Sequence, residues 1–159
     1  MKSKLEKSVL DYLDGVTGRL LDEGNEIEDI RILKCESPIE QLMFLALEDL
    51  FKHFDLFCDR FLFNIEVQEE VVFRNAKYRT DITLSIADME REINHEFVIE
   101  CDGHDFHEKT KEQVRKDKQR ERRLMRLGYR VIRFSGSEIF EDPDESALEV
   151  WEIVKKVIY

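Results

Sequence analysis

The sequence predicts an α/β domain in which helices flank a mixed central β-sheet of about four strands. Apolar residues alternate with polar ones near residues 63–68, 78–86, 96–102 and 129–134, which is typical of strands. Helical spacing marks residues 37–54, 109–127 and the segment after Pro143. The helix at 109–127 separates the last two strands, so it can serve as a crossover between parallel neighbours. This order of elements favours helices packed on a mixed sheet.

The first 36 residues form a separate segment in this interpretation, a helical N-terminal extension to a domain spanning residues 37–159. Leu5, Val9 and Leu13 recur at helical spacing, while Gly15 and Gly18 blur the ends of the pattern.

A stronger helix begins at Ser37, because Ser37-Pro38-Ile39-Glu40 combines a capping serine, a proline at the first helical position and a glutamate at the third. The helix runs to about residue 54, and apolar residues nearly surround it. A helix of this kind is buried against other elements.

The strands assign faces to their side chains. We expect a turn around residues 74–77, then a strand over 78–86 that carries Asp81 on the face opposite Ile82 and Leu84. In the strand at 96–102, Glu100 and Asp102 share the face opposite the one that carries Phe97, Ile99 and Cys101.

The remaining elements have clear ends. Gly128 terminates the helix at 109–127, and a strand follows over 129–134. Pro143 begins the last helix, whose inner stripe consists of Ala147, Val150, Trp151 and Val154.

Charge is distributed unevenly along the chain. The net charge is −11, yet residues 109–130 carry ten basic and three acidic side chains. This helix is either a solvated face or a local phosphate-binding surface. In the second interpretation the nucleic-acid contacts come from its N-terminal and middle turns: Lys109, Lys111, Arg115, Lys118 and Arg122.

Composition also bears on the compartment. Cys35, Cys58 and Cys101 are odd in number, widely separated and without a CxxC pair, which fits reduced thiols and argues against a cysteine zinc site. No apolar run follows Met1, and no stretch approaches the roughly 20 residues of a membrane span. We therefore expect a cytoplasmic protein.

Three carboxylates, Asp81, Glu100 and Asp102, stand at strand positions. Gathered on one face they would repel each other, and a hard divalent cation such as Mg²⁺ would remove that cost. Such an ion can polarise a phosphodiester and activate water. The alternative is an edge strand whose acidic face is simply hydrated.

Four further residues are candidates for the same site. His104 and His107 follow Asp102 directly and could donate a proton or bind phosphate, or they are ordinary loop histidines. Asp117 either points inward or pairs with Arg120 on the helix surface. Glu40 has a complete role as a cap, but its helical stripe also points toward buried surface.

Several separated blocks resemble the PD-(D/E)XK endonuclease-like superfamily, and in particular the branch of very-short-patch repair endonucleases. They are SPIE at 37–40, TDI at 80–82, FVIECDGHDFH at 97–107 and GYRVIRF at 128–134, with Lys111, Asp117 and Arg120 between the last two. The resemblance covers about residues 37–140.

The resemblance implies a restriction-endonuclease-like fold and metal-dependent hydrolysis of DNA. Asp81 and Glu100 would bind Mg²⁺, with Mn²⁺ as a substitute, and the Cys101 carbonyl would add an oxygen. Glu40, Asp117 and one of His104 and His107 would complete the catalytic set.

The sequence departs from the family pattern at two points. Asp102 occupies the position at which the PD-(D/E)XK motif has a lysine. A histidine or Lys111 would therefore have to replace that lysine in catalysis. The structural zinc site of patch-repair enzymes proper is missing, which puts mismatch-specific repair in doubt.

Two alternatives to a DNA endonuclease stay open. One is a non-catalytic nucleic-acid-binding or assembly module on the same fold. The other is a structural protein whose acidic surface meets a basic partner. RNA is not excluded as a substrate, and cutting both strands of a duplex would require a homodimer or two sequential nicks.

Overall fold

The computed structural model describes residues 30–55, 59–103 and 110–159. After a short 3-10 helix, Ile30–Lys34, the elements are α1 (Pro38–Asp55), β1 (Phe61–Val67), β2 (Glu70–Phe73), β3 (Ala76–Arg79), β4 (Ile82–Asp88), β5 (Ile93–Asp102), α2 (Lys111–Arg126), β6 (Tyr129–Ser135), α3 (Gly136–Glu141) and α4 (Pro143–Ile158). Most of the predicted N-terminal extension lies outside these residues, so its boundary at residue 36 stays a prediction.

The central sheet has four strands in the order β1-β4-β5-β6. β4 runs antiparallel to both β1 and β5, and β5 runs parallel to β6. The crossover between the parallel pair contains α2, as the position of the basic helix between two strands predicted. The predicted mixed α/β architecture is therefore confirmed.

The two faces of the sheet bury different clusters. One face packs against α1 and α4 in the main core, which includes Phe97, Ile99 and Cys101 of β5. Val98 points to the other face and packs with Leu124 of α2 and Val71 of β2. Helices thus cover both faces, and in the described ranges none of them is long and apolar enough to cross a membrane.

The N-terminus of α1 follows the predicted chemistry. Pro38 is the first helical residue, and the Ser37 hydroxyl accepts a hydrogen bond from the Glu40 backbone N–H at 3.2 Å. At its other end, Phe54 stacks on Trp151 of α4 with ring centroids 4.1 Å apart. The apolar α1 is buried as expected, and it is joined to the last helix through these rings.

The expected turn at residues 74–77 and strand over 78–86 were partly wrong. The chain forms a separate two-stranded hairpin, in which β2 pairs with β3 and the turn is Arg74–Asn75. Tyr78 and Arg79 belong to that hairpin, and Asp81 occupies a bend just before β4. Thr80 is polar but buried, and it keeps the same phase as Tyr78 and Ile82, so periodicity alone could not reveal where one strand ended and the next began.

The ends of α2 are defined by local chemistry. Thr110 caps its N-terminus and exchanges hydrogen bonds with Gln113, and Gly128 follows its C-terminus at φ +95, where residues with a Cβ are strained. Gly128 as terminator was predicted. The six-residue α3 was not predicted, because it is too short to display helical periodicity.

Candidate active site

Asp81 lies where β4 begins, next to the C-terminal end of β5. Ile82 is opposite Ile99 in the antiparallel register, so the residue before β4 comes beside Glu100. The Asp81 carboxylate Oδ2 accepts a hydrogen bond of 2.7 Å from the Cys101 backbone N–H. The predicted closeness of Asp81 and Glu100 is therefore observed, although Asp81 stands in a bend rather than within a strand.

The surroundings of Asp81 disfavour its charged form. Burial raises the pKa of this carboxyl to about 7, and the negative charge of Glu100 adds to the rise. The charge of Glu40 also raises the pKa of Asp81. The hydrogen bond from the Cys101 N–H and the positive charge of Arg120 lower it. Three carboxyl groups from α1, the β4 bend and β5 are thus close enough to interact electrostatically.

Glu100 is 4% exposed and is held by an arginine from α2. Arg120 Nη1 donates to Glu100 Oε2 at 2.5 Å, and Arg120 Nη2 donates to Glu100 Oε1 at 2.9 Å. The same Nη2 donates to the backbone carbonyl of Arg79. This two-bond fork neutralises Glu100 and ties α2 to the sheet.

Glu40 is buried and receives three hydrogen bonds through its carboxylate. The Ser37 hydroxyl donates to Oε1 at 2.9 Å, and both the Glu36 N–H and Gln68 Nε2 donate to Oε2 at 2.8 Å. Glu40 therefore stabilises the start of α1 and also points toward the carboxylate cluster. The cap and the buried orientation of Glu40 coexist, and its catalytic role stays a prediction.

Gln68 is a residue that sequence reasoning missed. It adopts a left-handed backbone at φ 54, directly after β1. While its Nε2 reaches Glu40, its Oε1 accepts hydrogen bonds from Arg79 Nε at 3.1 Å and Nη2 at 2.9 Å. Because Gln68 only continues the polar positions of β1, nothing in the sequence marks it as a bridge.

The Asp102 carboxylate is bound by Arg133 of the neighbouring strand β6. Arg133 Nη1 lies 3.3 Å from Oδ1 and 3.2 Å from Oδ2 of Asp102, and Arg133 Nε lies 3.7 Å from Glu121 Oε2. Arg133 stands opposite Glu100 in the parallel register of β5 and β6. A cation from β6 therefore compensates the acid that stands in place of the family lysine.

Cys101 faces the core, so its backbone rather than its thiol reaches the carboxylates. Burial raises the pKa of the Cys101 thiol well above its usual range, and the charges of Asp81, Glu40 and Glu100 raise it further. The thiol is thus kept neutral. The predicted metal contact through the Cys101 carbonyl stays a prediction.

The predicted residues of α2 fall into two groups. Asp117 is half-buried, whereas four basic residues assigned to nucleic-acid binding are exposed: Lys111, Arg115, Lys118 and Arg122. Arg120, considered as a surface partner for Asp117, instead directs its guanidinium at Glu100. Its signal in the sequence was the spacing of four residues from Leu124, which is buried.

Three candidates, His104, His107 and Lys109, lie outside the described residues, so their assigned roles stay predictions. Within residues 30–55, 59–103 and 110–159, no three His, Cys, Asp or Glu side chains are arranged to hold a metal ion. Both carboxylate oxygens of Glu100 are hydrogen-bonded to Arg120.

Comparison with known proteins agrees with the geometry at the level of family. Residues 61–154 match the family model REase_MTES_1575, which describes a restriction-endonuclease-like family. The matched segment contains Asp81, Glu100, Asp102, Asp117 and Arg120, whereas Glu40 precedes it. No curated protein and no solved structure matches the chain. Because the family match spans more than half of the sequence, the protein belongs to the restriction-endonuclease-like family REase_MTES_1575.

Proposed function

We propose that the protein is a cytoplasmic Mg²⁺-dependent deoxyribonuclease that hydrolyses phosphodiester bonds. The observation that carries the proposal is the closeness of two carboxyl groups in a restriction-endonuclease-like chain. Asp81, just before β4, lies beside Glu100, near the C-terminal end of β5. Two neighbouring carboxylates of this kind repel each other, and a divalent cation between them removes that repulsion.

The donor set fits Mg²⁺ in part. Asp81 and Glu100 would supply carboxylate oxygens, which Mg²⁺ prefers, and the ion usually retains several waters. When bound, the ion would supply a Lewis acid for the phosphodiester and a more acidic water. Binding through Glu100 requires Arg120 to release at least one of its two carboxylate bonds.

Arg120 supplies a positive charge at the site, whereas position 102 carries an aspartate in place of the lysine of the motif. Its guanidinium reaches Glu100 from α2, whereas Asp102 is compensated by Arg133. A guanidinium displaced from Glu100 can bind a phosphate oxygen in the same bidentate way. We assign Arg120 the role of orienting the scissile phosphate beside the two acids.

The remaining roles follow from the resemblance in the sequence. Glu40 holds its position through Ser37 and Gln68 and adds negative charge behind Asp81. His104 or His107 would donate a proton to the leaving oxygen, and Asp117 would orient that part of the site. The order of these residues supports placing the chain near the very-short-patch repair branch.

DNA is the substrate that this family and the exposed basic residues of α2 favour. One small site cuts one strand at a time, so a double-strand break would come from a homodimer or from two sequential nicks. RNA would use the same phosphodiester chemistry and serves as a comparison substrate.

The test is cleavage of supercoiled plasmid with Mg²⁺, with Mn²⁺ and without a divalent ion. We expect metal-dependent nicking by the wild type and its loss in both Asp81→Asn and Glu100→Gln. The matched control is Glu112→Gln, which removes an exposed carboxylate of α2 that pairs with Lys116. Undiminished nicking by both acid variants would contradict the assignment of the site.

A non-catalytic nucleic-acid-binding module is the second candidate, and the fork between Arg120 and Glu100 favours it. In that role the fork is permanent and the site never binds an ion. The module would bind DNA equally well with EDTA and with Mg²⁺, and wild type and Asp81→Asn would both leave plasmid intact. Metal-dependent cutting by the wild type rules it out.

A further inference from the structure

A cleft of about 580 Å³ lies between the tip of the β2–β3 hairpin and the C-terminal half of α2. Four arginines line it: Arg74 from the hairpin turn, and Arg122, Arg123 and Arg126 from α2. The amide side chains of Asn75 and Gln119 also line it, and no acidic residue does. Of the four arginines, only Arg122 is among the residues that the sequence predicted to contact nucleic acid. Arg74 is distant from α2 in the chain, so no local pattern joins it to the helix.

The charge of this cleft is unusual in a protein with a net charge of −11. Arg74, Arg122 and Arg126 are exposed, and within the described part of the chain none of the three pairs with a carboxylate. Arg123 donates to the Tyr78 hydroxyl, a neutral partner. Four guanidinium groups converging without an acid repel each other, and a bound anion removes that repulsion.

The cleft lies close to the candidate active site along α2. Arg120 binds Glu100, and Arg123 and Arg126 follow on the same helix at intervals of three residues. A helix rises about 1.5 Å per residue, so six positions span about 9 Å. One strand of B-form DNA covers that distance in about three nucleotides, at roughly 3.4 Å each.

We propose that this cleft binds the phosphodiester backbone of a nucleic-acid strand. Arginine forks bind phosphate oxygens bidentately, and side-chain amides such as those of Asn75 and Gln119 commonly contact phosphate and sugar. The arginine cleft contacts phosphates that are a few nucleotides away from the scissile phosphate beside Glu100. That relative position rests on the proposed nuclease function, whereas binding of the strand does not.

A strand fits this site better than a membrane surface does. The arginines come from a hairpin turn and a helix that face each other across a concave space, so a flat layer of headgroups would not reach its walls. Contacts to the backbone alone carry no base sequence, so single-stranded and duplex DNA and RNA share the chemistry that the cleft recognises.

The experiment measures fluorescence anisotropy of short labelled oligonucleotides in EDTA, where no cutting occurs. The test variant is Arg74→Gln with Arg126→Gln. It removes one arginine from each wall of the cleft and leaves Arg120 and Glu100 intact. The control is Lys52→Gln with Lys156→Gln, which makes the same change in charge at exposed positions of α1 and α4, away from the cleft and from α2. Thermal unfolding verifies that both variants fold.

We expect the test variant to bind on the order of tenfold more weakly at roughly 0.1 M salt, with a salt slope lower by about 2. The control should bind within about twofold of wild type, and Arg74→Lys with Arg126→Lys should restore part of the affinity. Equal losses in the test and control variants would overturn the proposal, and so would wild-type binding to anionic vesicles in preference to every oligonucleotide. Because no cutting is involved, a catalytically inactive protein would still give a result.

Discussion

Arg120 binds both carboxylate oxygens of Glu100, at 2.5 and 2.9 Å, and joins the crossover helix to the central strand. Its side chain is 23% exposed and that of Glu100 is 5% exposed. Arg120→Ala should lower the free energy of unfolding by about 3–5 kcal/mol, because Glu100 would be left buried without a partner. Urea denaturation of the purified variant measures this loss.

A matched control for that change is Lys116→Ala, which removes one partner of an exposed pair with Glu112 on the same helix. It should change stability by less than about 1 kcal/mol. Arg120→Lys should fall between the two, because an ammonium keeps the charge but cannot form the fork. Equal stability of Arg120→Ala and wild type would show that the fork is not maintained in solution.

Asp81 is expected to be required for cleavage and to lower the stability of the folded protein. Its carboxylate is largely buried beside Glu100 and Glu40 and accepts one hydrogen bond from Cys101. Asp81→Asn removes the repulsion and keeps an oxygen for that bond, so it should raise stability at pH 8 by on the order of 1 kcal/mol while abolishing cleavage. Asp144→Asn, at an exposed position of α4, should give no such gain. A destabilised Asp81→Asn would contradict this account of the site.

Leu124 holds α2 on the sheet. It is 1% exposed, is the one buried residue of this helix, and packs against Val98 and Val71. Leu124→Ala should cost about 2–5 kcal/mol through lost burial and the cavity that remains. Met125→Ala, next in sequence and 58% exposed, should change stability by no more than about 0.5 kcal/mol. Chemical denaturation compares the two, and equal effects would mean that α2 docks on a different face.

Asp88, at the far end of β4, should give the protein acid sensitivity. Hydrogen bonds from Arg60, at 3.1 and 2.7 Å, and from the backbone N–H groups of Glu90 and Arg91 hold the pKa of Asp88 well below its usual range. A carboxyl with a depressed folded-state pKa stabilises the protein above its unfolded value of 3.8 and loses that contribution as pH falls.

Asp88→Asn should therefore be less stable than wild type at pH 7, and the difference should narrow below about pH 4. Thermal unfolding at a series of pH values measures the difference. Asp59→Asn, an exposed position next to Arg60, is the control and should follow the wild-type curve. A constant gap between wild type and Asp88→Asn down to pH 3 would show that Asp88 does not titrate with folding.

Sequence periodicity predicted the mixed sheet because both alternating strands and the crossover helix have strong, regular signals. It also assigned Glu100 and Asp102 to the face of β5 opposite Phe97 and Ile99, since a strand alternates its side chains strictly. The β2–β3 hairpin escaped prediction, because the phase of inward side chains at Tyr78, Thr80 and Ile82 continues across the junction before β4.

Residue types and their order along the chain determined the fold class, the capped start of α1, the end of α2 at Gly128 and the set of acidic candidates. Local rules suffice for these, because caps, turns and alternation depend on neighbouring residues. Only the tertiary structure decided that Arg120 binds Glu100, that Gln68 bridges Glu40 and Arg79, and that Arg74 joins the arginines of α2 in one cleft. These partners are 11 to 52 residues apart in the chain, so their contacts depend on how strands register and helices dock, which no local pattern encodes.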